Sequence, residues 1–206
     1  MKFRFCMLLA VTCFCANRVR SQENWELKRE KDSIFIYTRS GQDSKFNELR
    51  AEFDLRGNLL QLRSILEDVQ RYPDWVYSTK TSSLVERKNG DDDFIYYAEI
   101  AAPWPVSNRD YYSETKIHLN PKSGIMQIES HNLTNSFPTK HHVVRIPLLQ
   151  ANWTIRELAG GMMHVEYVLH WDPGGNLPAW LANMFSYNGP YQSFSELKRK
   201  MEASNP

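Results

Sequence analysis

The chain has 206 residues, with 25 Lys+Arg against 24 Asp+Glu and a net charge of +1. That length suffices for one domain with a sizeable core. No polybasic block appears, which argues against nucleic acid and against electrostatic docking on anionic membranes.

The opening, MKFRFCMLLAVTCFCANRVRSQ, has a basic start at Lys2 and Arg4, an apolar run from Phe5 to Cys15 and a polar flank. This is the pattern of a secretory signal peptide over residues 1–21, too short to span a bilayer comfortably, with cleavage between Ala16 and Ser21. Its removal would leave residues 22–206 as one exported domain, periplasmic or secreted, with a net charge of −3. All three cysteines (Cys6, Cys13 and Cys15) lie in the leader. The mature protein would then lack disulfides, thiol catalysis and thiolate metal sites.

Trp25 to Thr38 holds two alternating apolar runs around the turn Glu30-Lys31-Asp32, and reads as a strand pair. A third strand follows over Phe46 to Arg56. Asn58 can cap a helix to about Val69 that buries Leu59, Leu62, Ile65, Leu66 and Val69. From Ser82 the spacing predicts strands near 82–88, 93–101, 109–119, 125–132, 141–147, 151–158 and 162–171, joined by short turns that imply antiparallel neighbours. The last stretch, Asp172 to Met201, places Trp180, Met184, Tyr187, Tyr191, Phe194, Leu197 and Met201 at steps of three or four, one face of a helix. Gly189-Pro190 interrupts it. Inside a helix the pair costs about 4 kcal/mol relative to alanines, which predicts a kink between two hinged segments. The whole is one α+β domain, a curved antiparallel sheet wrapped around a long C-terminal helix.

Alternation gives the sheet an apolar, aromatic face dotted with hydroxyls. Tyr111, Ser113, Thr115 and Ile117 share that side of one strand, and Met163, Val165, Tyr167 and Trp171 that of another. Hydroxyls on a greasy wall suit a cavity of roughly 300–1,000 Å³ that holds an apolar ligand and orients one polar group.

Ala102 to Tyr112, APWPVSNRDYY, resembles the central signature of the START (steroidogenic-acute-regulatory-related lipid-transfer) domains. Tyr72-Pro73-Asp74-Trp75, Val144-Arg145-Ile146-Pro147 and Asp172 to Leu181 fall in that family's order, so the likeness covers Trp25 to Met201. It points to a bacterial-type secreted member. The resemblance implies a helix-grip (START-like/Bet v 1-like) fold with an internal tunnel for a lipid or other hydrophobic small molecule, and no metal or cofactor. It also implies that Arg109 and Asp110 brace their strand as a structural ion pair. Ser113 and Thr115 stand where a basic residue sits in some relatives, which points to a ligand of little charge.

The residues expected to meet that ligand are Trp75, Tyr97, Glu99, Tyr111, Ser113, Thr115, Ile128, Val144, Trp153, Met163, Tyr167, Trp171, Trp180, Met184 and Tyr187. Glu99 is placed facing inward with Ile95 and Tyr97. The expected function is binding of the hydrophobic molecule, by a monomer, with transfer between membranes through transient membrane contact. The rival is a helix-grip enzyme, cyclase- or hydrolase-like, using a buried Glu99 as general base. The six histidines show no spacing that gathers metal ligands.

Overall fold

The structure is a computed structural model that describes residues 24–41, 46–88, 90, 92–177, 181–182 and 187–203. The leader, Trp180 and Met184 lie outside the described residues. Strand β1 (Glu26–Lys31) turns into β2 (Ile34–Ser40) through Asp32 and Ser33, whose φ values of 53° and 55° are those of a two-residue type I′ turn. After β3 (Asn47–Arg56), the Asn58 side chain accepts the Gln61 amide at 2.9 Å and caps α1 (Leu59–Glu67). Leu59, Leu62 and Leu66 of α1 are buried, and a 3-10 turn over Val69–Asp74 completes the crossing to the far edge of the sheet.

There the meander starts: β4 (Thr79–Arg87), β5 (Asp93–Ile100), β6 (Asn108–Asn120), β7 (Ile125–Asn132), β8 (Val143–Arg145), β9 (Leu148–Leu158) and β10 (Met162–Asp172). The sheet order is β1-β2-β3-β10-β9-β7-β6-β5-β4, with antiparallel neighbours throughout. Short β8 runs parallel to the start of β6, beyond the point where β7 stops pairing. The strand expected over 141–147 is thus only three residues long, because Pro147 has no amide to extend the ladder.

Helix α2 (Gly189–Ala203) closes the concave face. Its Phe194 packs on Phe53, Trp153 and Tyr167 at centroid distances of 4.7, 5.7 and 5.3 Å. Leu197 and Met201 are fully buried, and the Met201 carbonyl accepts from the Gln61 amide of α1 at 3.1 Å. The N-terminal half is tied to the β1–β2 hairpin: Tyr191 donates to Asp32, and the Arg29 guanidinium lies 4.0 Å from the Tyr191 ring centroid. Together these make the helix-grip fold. Pro190 stands in the first turn of α2, after a π-type turn at Tyr187–Asn188, so it removes no hydrogen bond from the middle of that helix.

The convex side is covered too. Phe137 stacks on Tyr112 of β6 at 4.0 Å and 8°. Arg145 of β8 donates to the carbonyls of Thr134, Phe137 and Pro138 and to both oxygens of Asp110. Residues 133–142 are thereby fastened over the outer face of β5 and β6.

Candidate functional site

Between the sheet and α2 lies a cavity of about 220 Å³. It occupies one end of the concave face. The start of β6 (Arg109 to Ile117), the end of β10 (Tyr167 to Trp171), and the β9 and β7 residues paired beside them form its wall. The residues after α1 (Tyr72 to Tyr77) and the first turn of α2 (Gly189, Pro190, Ser193, Phe194) complete it. The volume falls below the sequence expectation because aromatic rings crowd the wall: Tyr96 lies edge-on to both Tyr72 (5.4 Å) and Tyr111 (5.8 Å). It still exceeds the engineered cavity of about 150 Å³ that admits benzene.

Of the candidates, Trp75, Tyr111, Thr115, Ile128, Trp153, Tyr167 and Trp171 line it. The other described candidates do not. Ser113 is on the inward side but sealed from the cavity, its hydroxyl bonded to the His131 carbonyl at 3.3 Å. Met163 sits at the opposite end of β10, in the solid core with Val165 and Ile155. Val144 packs against the turn after β10, where a side chain on Gly174 would meet its Cγ1 at 3.2 Å and Pro147 Cδ at 3.0 Å. Tyr187 packs against the core without reaching the cavity.

Tyr97 and Glu99 point the other way, because the inward residues of β5 are Tyr96 and Ile100. Glu99 accepts from Asn108 at 2.8 Å and Lys80 at 3.0 Å on the convex side, with Lys140 at 3.6 Å. Burial pushes its carboxyl up, yet the Asn108 amide and the two ammonium groups outweigh that and hold it below the ordinary value. A carboxylate so turned and so paired cannot serve as a base inside the cavity. Buried tyrosines are the titratable groups that dominate the wall. Burial raises Tyr72, Tyr96, Tyr111 and Tyr167, so they stay protonated and neutral.

Arg109 and Asp110 are neighbours on β6 and face opposite sides, so they do not form the expected pair. Asp110, 1 % exposed, is held by Arg145 at 2.8 Å. Arg109, 4 % exposed, lines the cavity, so a basic group reaches it from a position other than Ser113 or Thr115. Its parity with Tyr111 on one strand was the signal that identifies it. The polar pairs Thr115–Ser130 (2.9 Å) and Tyr96–Tyr111 (3.5 Å) are satisfied across strands. Among the described residues, no group of three potential metal ligands converges.

Known proteins resemble this chain in sequence and fold. A profile of the START domain matches residues 8–204. An uncharacterised protein of Pseudomonas aeruginosa is 26 % identical over 180 residues, 87 % of this chain and 88 % of that one. The phosphatidylcholine transfer protein of Rattus norvegicus is 30 % identical over 173 residues, 81 % of this chain and 78 % of its own. The crystal structure of a STAR-related lipid transfer protein from Xanthomonas axonopodis superposes with a TM-score of 0.77 at 26 % identity, covering 86 % of this chain and 98 % of that one. With the central signature, the sheet order and the closing helix all in register over nearly its full length, the chain belongs to the START domain family.

Proposed function

We propose that this protein binds a lipid or other hydrophobic small molecule in the cavity beneath α2 and transfers it between membranes. The observation that carries the reading is an aromatic and aliphatic cavity, larger than a benzene-sized void, bounded on one side by the first turn of the closing helix. Relatives named for phosphatidylcholine transfer and STAR-related lipid transfer support it. Burial of the ligand's apolar body, at about 25 cal/mol per Å², is the driving force.

Trp104 supports membrane contact. It is 91 % exposed in the loop between β5 and β6, a few residues from Ile100 and Arg109 at the cavity wall. A bare indole beside a lipid cavity suits the membrane–water interface, where tryptophan concentrates. The protein acts as a monomer outside the cytoplasm, after loss of residues 1–21.

Native mass spectrometry of protein from its own cells, with a fluorescent-lipid transfer assay between vesicles, tests the reading. A co-purified hydrophobic molecule and protein-dependent transfer are expected. An empty protein that neither binds nor moves any of a panel of lipids refutes it.

A further inference from the structure

The cavity holds a positive charge with nothing to balance it. Arg109 lines the wall, and a terminal nitrogen of its guanidinium donates to the Ser107 carbonyl. Its Nε is buried and has no hydrogen-bond partner. No carboxylate of the described residues pairs with it, and the adjacent Asp110 is committed to Arg145 on the other face. Residues 178–186, which precede α2, contain no Asp or Glu. None of the lining residues is an acid.

Arginine does not escape burial by losing its proton. A buried, uncompensated charge costs several kcal/mol, and such groups are ordinarily paired. Here no described residue supplies the pairing partner. The guanidinium also reaches the turn after β10. A β-carbon on Gly175 would come within 3.9 Å of Nη2, and the glycine has none. A second donor points the same way. Trp75 lines the same cavity, and its Nε1 is buried and has no acceptor. The hydroxyls Thr115 with Ser130 and Tyr96 with Tyr111 answer one another, so the unanswered polar groups are donors. Donors without acceptors, one of them cationic, are the complement of an oxyanion.

We propose that the ligand is an amphiphile with an anionic head group, a carboxylate or phosphate, that sits on Arg109 while its apolar body fills the aromatic part of the cavity. The proposal rests on the reading of this cavity as a lipid site, and it narrows that reading by charge. The cavity of about 220 Å³ further favours a single acyl chain over two.

The test uses the delipidated full domain at mildly alkaline pH, where a carboxylic acid is ionised. Quenching of intrinsic tryptophan fluorescence follows titration with oleate, with oleyl alcohol as the uncharged twin, and with lysophosphatidic acid as the phosphate head. Wild type is expected to bind oleate and lysophosphatidic acid at least about ten-fold more tightly than oleyl alcohol, the effect of a charge-assisted hydrogen bond. Arg109→Met should bring oleate and oleyl alcohol within about two-fold of one another, and Arg109→Lys should keep part of the preference. Equal affinities in wild type overturn the proposal without reference to any variant, and so does a preference that survives Arg109→Met. Inorganic phosphate alone is the last arm. If it raises the melting temperature as far as lysophosphatidic acid does, the site takes free anions and the amphiphile proposal falls. Binding of oleyl alcohol alone leaves the lipid cavity standing and sinks only the charge. Failure of every amphiphile to bind sinks the lipid cavity itself.

Discussion

Two adjacent arginine contacts on opposite faces of β6 make a sharp stability test. Replacing Arg145 by Met strands the Asp110 carboxylate, which is 1 % exposed and has Arg145 as its ion-pair partner. Breaking a buried pair from one side costs about 3–5 kcal/mol. Three carbonyls of residues 134–138 lose their donor as well, but they lie near the surface where water can substitute. Against a total stability of about 5–15 kcal/mol, the loss is severe. At about 2–4 °C per kcal/mol for a domain of this size, the melting temperature falls by roughly 6–20 °C. Arg109→Met has a different ledger. It removes one bond to the Ser107 carbonyl and relieves a buried donor that has no acceptor. The lost bond costs about 1–3 kcal/mol and relief of a buried, unpaired charge returns at least as much, so ligand-free stability should be unchanged or raised. Urea unfolding at neutral pH, followed by far-ultraviolet circular dichroism, measures both. A cycle with Asp110→Asn should recover at least about 2 kcal/mol of coupling with Arg145. The reasoning is refuted if Arg145→Met is nearly neutral, or if Arg109→Met loses as much as Arg145→Met.

Trp104→Ala should leave urea stability unchanged and weaken vesicle binding in a pelleting assay. Withdrawing about 100 Å² of indole from the interface is worth about 2.5 kcal/mol, and an unchanged partition would show that another surface docks. Glu99→Gln should lower stability at neutral pH and flatten the acid limb. The folded-state carboxyl lies below its ordinary value near 4.5, so its contribution is complete above that pH and is lost as pH falls through the folded value. Acid-unfolding curves that superimpose for the two proteins would contradict this. Pro190→Ala, in the first turn of α2, should change stability by less than about 1 kcal/mol while slowing both uptake and release of oleate in stopped-flow fluorescence. Equal rates would place the route elsewhere.

Most of the fold was legible because most strands keep a clean period of two and most turns their own chemistry. The N-cap Asn58, the Gly160-Gly161 hairpin and the ranges of β3, β6, β7 and β10 match the sequence expectations closely. On β6 and β10 alternation also separated wall from exterior. On β5 it failed. Every residue from Phe94 to Glu99 is buried, because the convex face lies under residues 133–142 while the concave face meets the core. A strand buried on both faces has no polar side to fix its phase. Tyr97 and Glu99 were therefore read inward, and Tyr96 was missed. Met163 was lost for another reason: parity tells which face a residue is on, and says nothing of how far along the face the cavity extends. The Arg109–Asp110 pairing ignored the same parity that placed Tyr111 correctly.

The two halves of α2 differ in what holds them, and this decides which half can yield to a ligand. Toward the C-terminus, Phe194, Leu197 and Met201 are buried in the core. At about 1.5–3 kcal/mol for each such side chain, pulling them out costs about 5–9 kcal/mol. That approaches the stability of a whole domain, so peeling the entire helix is close to unfolding. Toward the N-terminus Tyr191 is buried as well, but the ties of the first turn are otherwise polar. Ser193 accepts the Tyr77 amide at 2.9 Å, Tyr191 donates to Asp32, and Arg29 rests on the Tyr191 ring. Each is worth about 0.5–1.5 kcal/mol net, because water replaces what is broken. The same turn carries Gly189 and Pro190 over the cavity, and Pro190 has no amide hydrogen to tie it further. Opening at that turn exposes the cavity at a cost of a few kcal/mol and leaves the C-terminal anchor in place, which is what a carrier needs if it is to release its ligand without losing its fold.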